Sequence, residues 1–165
     1  MRPDHFSGLG YHRCTTPNLD EIIRSGLTFN RCFASDAPCM PSRAALFSGR
    51  FGVHNGVATH WGPGSEFRYT HKPPMFMRHL HANGCRTVSF SSFADRHQAW
   101  WFAAGWRELH TFTLKGGGEN ADEVNAVALP WLEQNGEEDD YFLHLHYWDP
   151  HRAYKMPTEW MDHFD

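Results

Sequence analysis

The stretch DAPCMPSRAALFSGRF, residues 36–51, places a cysteine at the point where a loop becomes a helix. Within it, Pro41 opens the pattern PSRAALFSG and Gly49 follows its last turn, which is the usual placement of proline and glycine at helix ends. Residues 27–34, LTFNRCFA, alternate apolar and polar side chains and predict a β-strand. Cys39 is therefore expected on a strand-to-helix turn.

The rest of the chain alternates helix and strand patterns, which predicts an α/β fold. Five patterns carry this prediction: helices at residues 15–26, 73–84 and 120–136, and strands at residues 85–92 and 141–148. Loop compositions occupy residues 56–74 and 114–120, and no domain boundary is evident. Because strands separated by helices tend to pair in parallel, we expect a three-layer α/β/α arrangement with a largely parallel sheet.

Composition narrows the classes of partner. The 165 residues are 41% hydrophobic with a net charge of -4 and a sequence pI of about 6.3, which is typical of one globular domain. The sequence has no excess of basic residues that would attract nucleic acid, and no apolar run is long enough to span a membrane. Neither nucleic acid nor a membrane is therefore expected as a partner. The four cysteines are scattered singly, which argues against a zinc knuckle.

Cys39 and Arg43 are the first candidates for chemistry. The start of a helix offers unpaired backbone N–H groups and a partial positive charge, so an anion is favoured there. A guanidinium one turn later is a forked donor suited to a tetrahedral oxyanion. The alternative is that Cys39 is a packed small hydrophobe and Arg43 a solvated side chain, and the local pattern leaves both interpretations open.

A family resemblance favours the first interpretation. The run CMPSR at residues 39–43, followed by AALFSGR, resembles the signature of the type I sulfatases, which is C-x-P-S-R with a Leu and a Gly-Arg at fixed distances. Segments that resemble the family in order and spacing lie at residues 2–34, 49–57, 80–88 and 142–157. The resemblance therefore covers most of the chain.

The resemblance implies an alkaline-phosphatase-like fold and hydrolysis of sulfuric esters. In this family a formylglycine-generating enzyme oxidises the signature cysteine, here Cys39, to formylglycine, whose hydrate is a gem-diol nucleophile. The hydrate acts beside a divalent cation, with Ca²⁺ expected first and Mg²⁺ or Mn²⁺ as alternatives. The implied partners are the modifying enzyme and a sulfate ester of a sugar, glycan or aryl group.

The resemblance also implies roles for individual residues. Arg43 would hold the hydrate, and His151 in WDPH matches a family histidine that contacts the sulfate or protonates the leaving oxygen. Where many sulfatases carry a Gly-Lys-Trp-His run, residues 89–97 read SFSSFADRH. Arg96 is therefore the predicted replacement in substrate binding, and His97 the predicted replacement in catalysis.

Two groups of aromatic residues are interpreted as structural. His144 and His146 share one face of their strand, and a half-buried strand face is favoured over a metal-binding pair. Trp100, Trp101 and Trp106 are interpreted as core or interface residues rather than as a platform for sugar rings.

The resemblance places residues 1–165 in the N-terminal portion of a sulfatase catalytic domain. The family's first strand, its metal-binding aspartates and its C-terminal part are not matched, so Cys39 as formylglycine is the one metal ligand that the resemblance assigns. We therefore expect this chain alone to be inactive. Any export signal would precede Met1, so the localisation stays open.

Three other functions are alternatives to sulfate ester hydrolysis. A phosphodiesterase or phosphonate monoester hydrolase of the same superfamily would use the same nucleophile, because the esters share a tetrahedral shape. A non-catalytic truncated remnant would keep the fold without the metal. An unrelated histidine-rich metal hydrolase is disfavoured, because no HExxH or HxH pair combines with suitably spaced carboxylates.

Overall fold

A computed structural model describes residues 2–68, 75–111, 116–151 and Thr158. The chain divides into two compact units, Met1–Phe33 and Ala34–Asp165. Within the described residues, the α-helices are α1 Pro17–Ser25, α2 Cys39–Ser48, α3 Gly52–Asn55, α4 Phe76–Ala82, α5 Phe93–His97 and α6 Ala121–Asn135. The strands are β1 Arg86–Phe90, β2 Glu108–His110 and β3 Tyr141–Leu145, and short 3-10 helices cover Pro3–His5, Ser7–Leu9 and Trp100–Ala103.

The strands form one parallel sheet in the order β2-β1-β3. Val88 of β1 lies opposite Glu108 of β2 and Leu143 of β3. The predicted strands at residues 85–92 and 141–148 are confirmed as β1 and β3. The sequence patterns do not predict β2, because three residues are too few to show an alternation. The parallel sheet confirms the α/β fold class.

The two faces of the sheet pack into separate hydrophobic clusters, because successive strand residues point to opposite sides. On one face, Val88 and Phe90 pack with Ala128 and Trp131 of α6. On the other face, Phe142 packs against a larger cluster that contains residues of α2, α4 and α5. Helices therefore cover both faces, as the predicted α/β/α layering requires.

Helix α6 confirms the prediction at residues 120–136. It begins with a capping box, in which the Asn120 side chain accepts from the Glu123 N–H and the Glu123 carboxylate accepts from the Asn120 N–H. Val124, Ala128 and Trp131 are its buried residues, and their spacing puts them on one face toward the sheet.

Helix α2 differs from its predicted start. It begins at Cys39 and not at Pro41, although Gly49 ends it in the left-handed conformation with φ of 65°, as predicted. Proline is tolerated anywhere in the first turn, because the N–H groups of that turn have no intrahelical acceptor. Cys39 is therefore the first residue of the helix.

The strand predicted at residues 27–34 is wrong. This segment is irregular, and Leu27, Phe29 and Phe33 are exposed by 82%, 75% and 85%. An alternating pattern becomes a strand only when a partner pairs with its backbone, and none of the described residues does so. Cys39 therefore lies at a loop-to-helix junction and not on a strand-to-helix turn.

The first unit is organised around a carboxylate. Helix α1 confirms the prediction at residues 15–26, with Thr16 as its N-cap residue. The Asp20 carboxylate accepts hydrogen bonds from the Ser7 hydroxyl at 2.6 Å, the Gly8 N–H at 2.7 Å and the Thr16 hydroxyl at 2.8 Å. These bonds lower the pKa of Asp20, the one from Ser7 most. No residue of α1 is buried.

Helix α4 confirms the helix predicted at residues 73–84, although Pro73 and Pro74 lie outside the described residues. Parts of the two predicted loops, residues 69–74 and 114–115, and residues 152–157 of the family resemblance also lie outside them. In the part of the chain that is described, no helix has both the length and the apolar character needed to cross a membrane.

The capping box of α6 allows a test of the fold. Replacing Asn120 with Ala removes one acceptor from the helix N-terminus and should lower the free energy of unfolding by about 1 kcal/mol. Urea denaturation of the two proteins measures the difference. Glu133→Ala, an exposed change in the same helix, should change stability by less than about 0.5 kcal/mol, and equal effects of the two variants would contradict the capping role.

Candidate active site

Cys39 and Arg43 lie on the same side of α2, because residues four apart on a helix are neighbours. Both are partly buried, and α2 holds them by burying Met40, Ala44 and Phe47 in the larger hydrophobic cluster. Of the other free cysteines, Cys14 and Cys32 are exposed, whereas Cys85 is partly buried like Cys39.

A cavity of about 570 Å³ opens beside Cys39. Of the predicted site residues, Cys39, Arg96, His97 and His151 line it together. Arg43 is not among the lining residues. The remaining lining residues are Pro38, His60, Trp61 and Gly116.

The carboxyl edge of the sheet positions the histidines of this cavity. Helix α5 follows β1 directly, and His97 is its last residue. The Ser91 hydroxyl accepts a hydrogen bond from the Phe93 N–H at 3.1 Å, which fixes the turn between β1 and α5. His151 follows β3, and its N–H donates to the Trp148 carbonyl at 2.7 Å. In open parallel sheets this edge is the usual ligand-binding edge.

His97 is a buried imidazole whose ring nitrogens make no hydrogen bond to any described residue. Its exposed fraction is 5%. Burial, followed by the charges of His60, Arg96, Arg43 and His151, lowers the pKa of His97 to about 4. The ring is therefore neutral at pH 7, and none of the described residues that line the cavity with His97 is acidic.

Arg96 is held by an aromatic ring at the cavity wall. Its guanidinium lies 4.9 Å from the centre of the Trp148 ring and donates to the Gly116 carbonyl at 3.1 Å. The Trp148 indole N–H donates to the Ser92 hydroxyl at 2.9 Å. Ser92, the N-cap residue of α5, thus supports Arg96 of the same helix through Trp148, which follows β3.

Arg43 is a partly buried cation that forms no ion pair with any carboxylate of the described residues. Its Nη2 lies 2.8 Å from Nε2 of His146, and its guanidinium lies 4.9 Å from the centre of the Phe93 ring. Burial lowers the pKa of Arg43, and the neighbouring Cys39 opposes that shift. The positive charge of Arg43 is therefore not neutralised by a described acidic side chain.

His144 and His146 lie on a packed face of the sheet, as predicted. Nδ1 of His144 is 2.9 Å from the Ser89 hydroxyl, and Nδ1 of His146 is 3.0 Å from the Ser91 hydroxyl. Burial, and then the charge of Arg43, lowers the pKa of His144 to about 4 and that of His146 to about 3. The sequence pattern shows the shared face but not the contact between His146 and Arg43.

His60 and Trp61 are cavity residues that the sequence analysis missed. Nε2 of His60 is buried without a hydrogen-bond partner in the described residues, and its ring centre lies 5.0 Å from that of His97. Burial lowers the pKa of His60, and the charges of Arg96 and His151 lower it further. Both residues lie in a stretch of loop composition, where no periodicity distinguishes one side chain from another.

Trp101 and Trp106 are buried in the core, as predicted, and Trp100 is exposed.

The described residues do not provide a set of ligands for a divalent cation. The described residues contain no group of three or more His, Cys, Asp and Glu side chains placed to hold a metal ion. The cavity beside Cys39 offers imidazole and guanidinium groups, whereas Ca²⁺ and Mg²⁺ prefer carboxylate and carbonyl oxygens. The described residues therefore do not provide the oxygen ligands of the divalent cation that the family resemblance implies.

Comparison with known proteins identifies the family. A sequence model described as Sulfatase matches residues 1–165, so the chain belongs to the sulfatase family. This confirms the resemblance carried by the CMPSR run. No solved structure gives a significant match.

Curated relatives match short segments. The chain is 35% identical over 60 residues to the ulvan-active sulfatase of Formosa agariphila, covering 36% of this chain and 12% of that protein. It is 46% identical over 44 residues to the N-acetylgalactosamine-6-sulfatase of Homo sapiens, covering 27% and 8%. It is 38% identical over 60 residues to the N-acetylglucosamine-6-O-sulfatase of Bacteroides thetaiotaomicron, covering 34% and 11%. The matched segments thus span about a tenth of the length of these relatives.

The buried imidazoles predict how stability depends on pH. His97, His144 and His146 have pKa values of about 4, 4 and 3 in the folded chain, against about 6.5 for an unfolded histidine. As the pH falls from about 6.5 to about 4, the unfolded state binds more protons, so the free energy of unfolding should fall by up to about 1.4 kcal/mol per pH unit for each imidazole. Urea denaturation at a series of pH values measures this slope.

A histidine variant is the control for this prediction. His144→Phe removes one titrating group from an aromatic environment and should make the decline shallower. A slope identical to that of the unsubstituted chain would contradict the assignment of the slope to buried imidazoles.

Proposed function

We propose that this chain carries the nucleophile and the oxyanion-binding groups of a sulfatase active site that hydrolyses sulfate esters of a sugar, glycan or aryl alcohol. The observation that carries the proposal is the cavity that joins Cys39, Arg96, His97 and His151 from separate parts of the chain. None of the described residues that line it is acidic. A cavity lined by imidazole and guanidinium groups suits an anionic group.

Cys39 provides the position of the nucleophile, after conversion to formylglycine by a modifying enzyme. A hydrated aldehyde at this position supplies two hydroxyl groups on one carbon, so that one attacks sulfur and the other allows sulfate to be expelled. The first turn of α2 contributes backbone N–H groups that favour negative charge beside Cys39. The partial burial of Cys39 leaves it reachable from the cavity.

Arg43 contributes positive charge from behind the cavity lining. A partly buried guanidinium without a carboxylate partner is costly unless an anion completes its surroundings. Its charge lowers the pKa of His97 and is itself favoured by Cys39, so it acts electrostatically on both. Arg43 therefore attracts the sulfate group toward Cys39.

His97 and His151 are the groups that hold and move the proton. His97 is neutral in the free chain, and a sulfate in the cavity would raise its pKa, because negative charge favours the imidazolium form. His151 reaches the cavity from the segment after β3. One imidazole then holds a sulfate oxygen while the other donates a proton to the leaving alcohol oxygen.

A divalent cation belongs to the family's chemistry, but the described residues do not provide its oxygen ligands. We accordingly expect no turnover of sulfate esters by the 165-residue chain alone.

The role of Cys39 predicts a selective modification. The chain is expressed together with a formylglycine-generating enzyme. The peptide that contains Cys39 should then be lighter by the mass difference between a CH₂–SH group and an aldehyde group. Peptides with Cys14, Cys32 and Cys85 should be unchanged, although two of these thiols are exposed. Mass spectrometry of the digested chain measures this, and an unmodified Cys39 would contradict the proposal.

The cavity predicts binding of inorganic sulfate. Sulfate added at constant ionic strength should raise the pKa of His97 above its value of about 4, as measured by NMR titration of the imidazole. Arg43→Gln should weaken the binding about tenfold, because the positive charge behind the cavity lining is lost. Arg50→Gln makes the same change of charge two residues beyond the C-terminal end of α2 and should have no effect.

The same titration separates the superfamily alternatives. Absence of a pKa change at His97 would overturn the proposed site. Tighter binding of methylphosphonate than of sulfate would favour a phosphonate monoester hydrolase or phosphodiesterase.

A further inference from the structure

We infer that His146 is a positioning residue, which fixes the guanidinium of Arg43 through its Nε2 and is itself fixed by the Ser91 hydroxyl through its Nδ1. The importance of this contact for sulfate binding rests on the proposed function. The geometry of the contact is independent of that proposal. Nothing in the family resemblance or in the relatives' names assigns a role to His146.

The hydrogen-bond chemistry of Arg43 fixes the tautomer of His146. A guanidinium has N–H donors and no acceptor, so Nε2 of His146, at 2.8 Å from Nη2 of Arg43, must be the acceptor and carry no proton. The hydrogen of the neutral ring is then on Nδ1, which donates to the Ser91 hydroxyl at 3.0 Å. The same hydroxyl oxygen accepts from the Phe93 N–H at 3.1 Å, so both of its lone pairs are used.

The neutral imidazole of His146 leaves the positive charge of Arg43 available to a ligand. A carboxylate at the position of His146 would form an ion pair and would cancel the charge that an anionic ligand needs. A neutral imidazole instead satisfies one N–H of the guanidinium and leaves the net positive charge in place. His146 remains neutral over the physiological range, because burial and Arg43 lower its pKa to about 3.

The surroundings of His146 support a fixed orientation. Its exposed fraction is 7%, and its ring centre lies 4.4 Å from that of Trp148 and 6.2 Å from that of Phe93. The titratable groups that act on it are Arg43 of α2, His97 of α5, His144 of β3 and His151, and none of them is acidic. A fixed ring with a fixed tautomer can hold a guanidinium in one place.

The first test reads the tautomer directly and needs no ligand and no variant. Long-range ¹H–¹⁵N spectra of the ¹⁵N-labelled 165-residue chain should show His146 with a protonated Nδ1 and an unprotonated Nε2, unchanged between about pH 5 and pH 7. A ring protonated on Nε2, or doubly protonated in this range, cannot accept from Arg43 and would overturn the inference.

The second test separates the two hydrogen bonds of the ring. In His146→Gln, the side-chain carbonyl takes the place of Nε2 and still accepts from Arg43, while the bond to Ser91 is lost. In His146→Asn, the side-chain amide takes the place of Nδ1 and still donates to Ser91, while the bond to Arg43 is lost. Both variants remove the imidazole ring, so their packing losses are comparable.

The expected readout is the affinity for inorganic sulfate. His146→Gln should stay within about threefold of the unsubstituted chain, and His146→Asn should bind about tenfold more weakly, because Arg43 is no longer held. His144→Asn, which removes the neighbouring imidazole but leaves the contact with Arg43, should bind sulfate normally. Circular dichroism of each variant checks that the fold is kept.

The outcomes distinguish this inference from the proposed function. Equal loss in His146→Asn and His146→Gln, with sulfate binding by the unsubstituted chain, would overturn the positioning role. If the unsubstituted chain binds no sulfate, the proposed function fails, and the tautomer measurement alone decides whether His146 positions Arg43.

Discussion

The parallel pairing of β1 with β3 is the constraint on which the rest of the site depends. Because both strands run in the same direction, the residues that follow them meet at one edge of the sheet. There Ser91 contacts His146, and Ser92 accepts a hydrogen bond from Trp148. The His146 N–H donates to the Phe90 carbonyl at 3.1 Å, which continues the pairing beyond β3. A slip of one residue in this register would turn His146 toward α6 and away from Arg43.

The electrostatic character of the site follows from this edge. Arg43 and Arg96 are supported by a neutral imidazole and an indole ring, respectively, and not by carboxylates. His97 and His146 are kept neutral, because burial and the charge of Arg43 oppose protonation of both rings, and the charge of Arg96 adds to this effect at His97. The result is a cavity with positive charge that its own described residues do not cancel, which is the condition for binding an oxyanion. The serines after β1 anchor the segment that follows β3, through His146 and Trp148.

Much of the fold was predictable from local patterns. Helix α6, with Asn120 as its cap, and the strands β1 and β3 follow from periodicity and capping chemistry, which depend on residues close together in sequence. The strand predicted at residues 27–34 failed, because alternation describes a surface that needs a partner and the described residues provide none. The strand β2 was missed because its three residues are recruited by pairing with β1 and show no pattern of their own.

The sequence by itself determined the family and the candidate nucleophile, because the CMPSR run is a short contiguous signature whose residue types are readable without a structure. It also identified Arg96, His97 and His151 as candidates, although it could not say that they share a cavity. Only the tertiary structure decided that His60 and Trp61 join that cavity and that His146 holds Arg43, which lies 103 residues away. The physical reason is that a hydrogen bond between distant residues depends on strand register and helix packing, which no local pattern encodes.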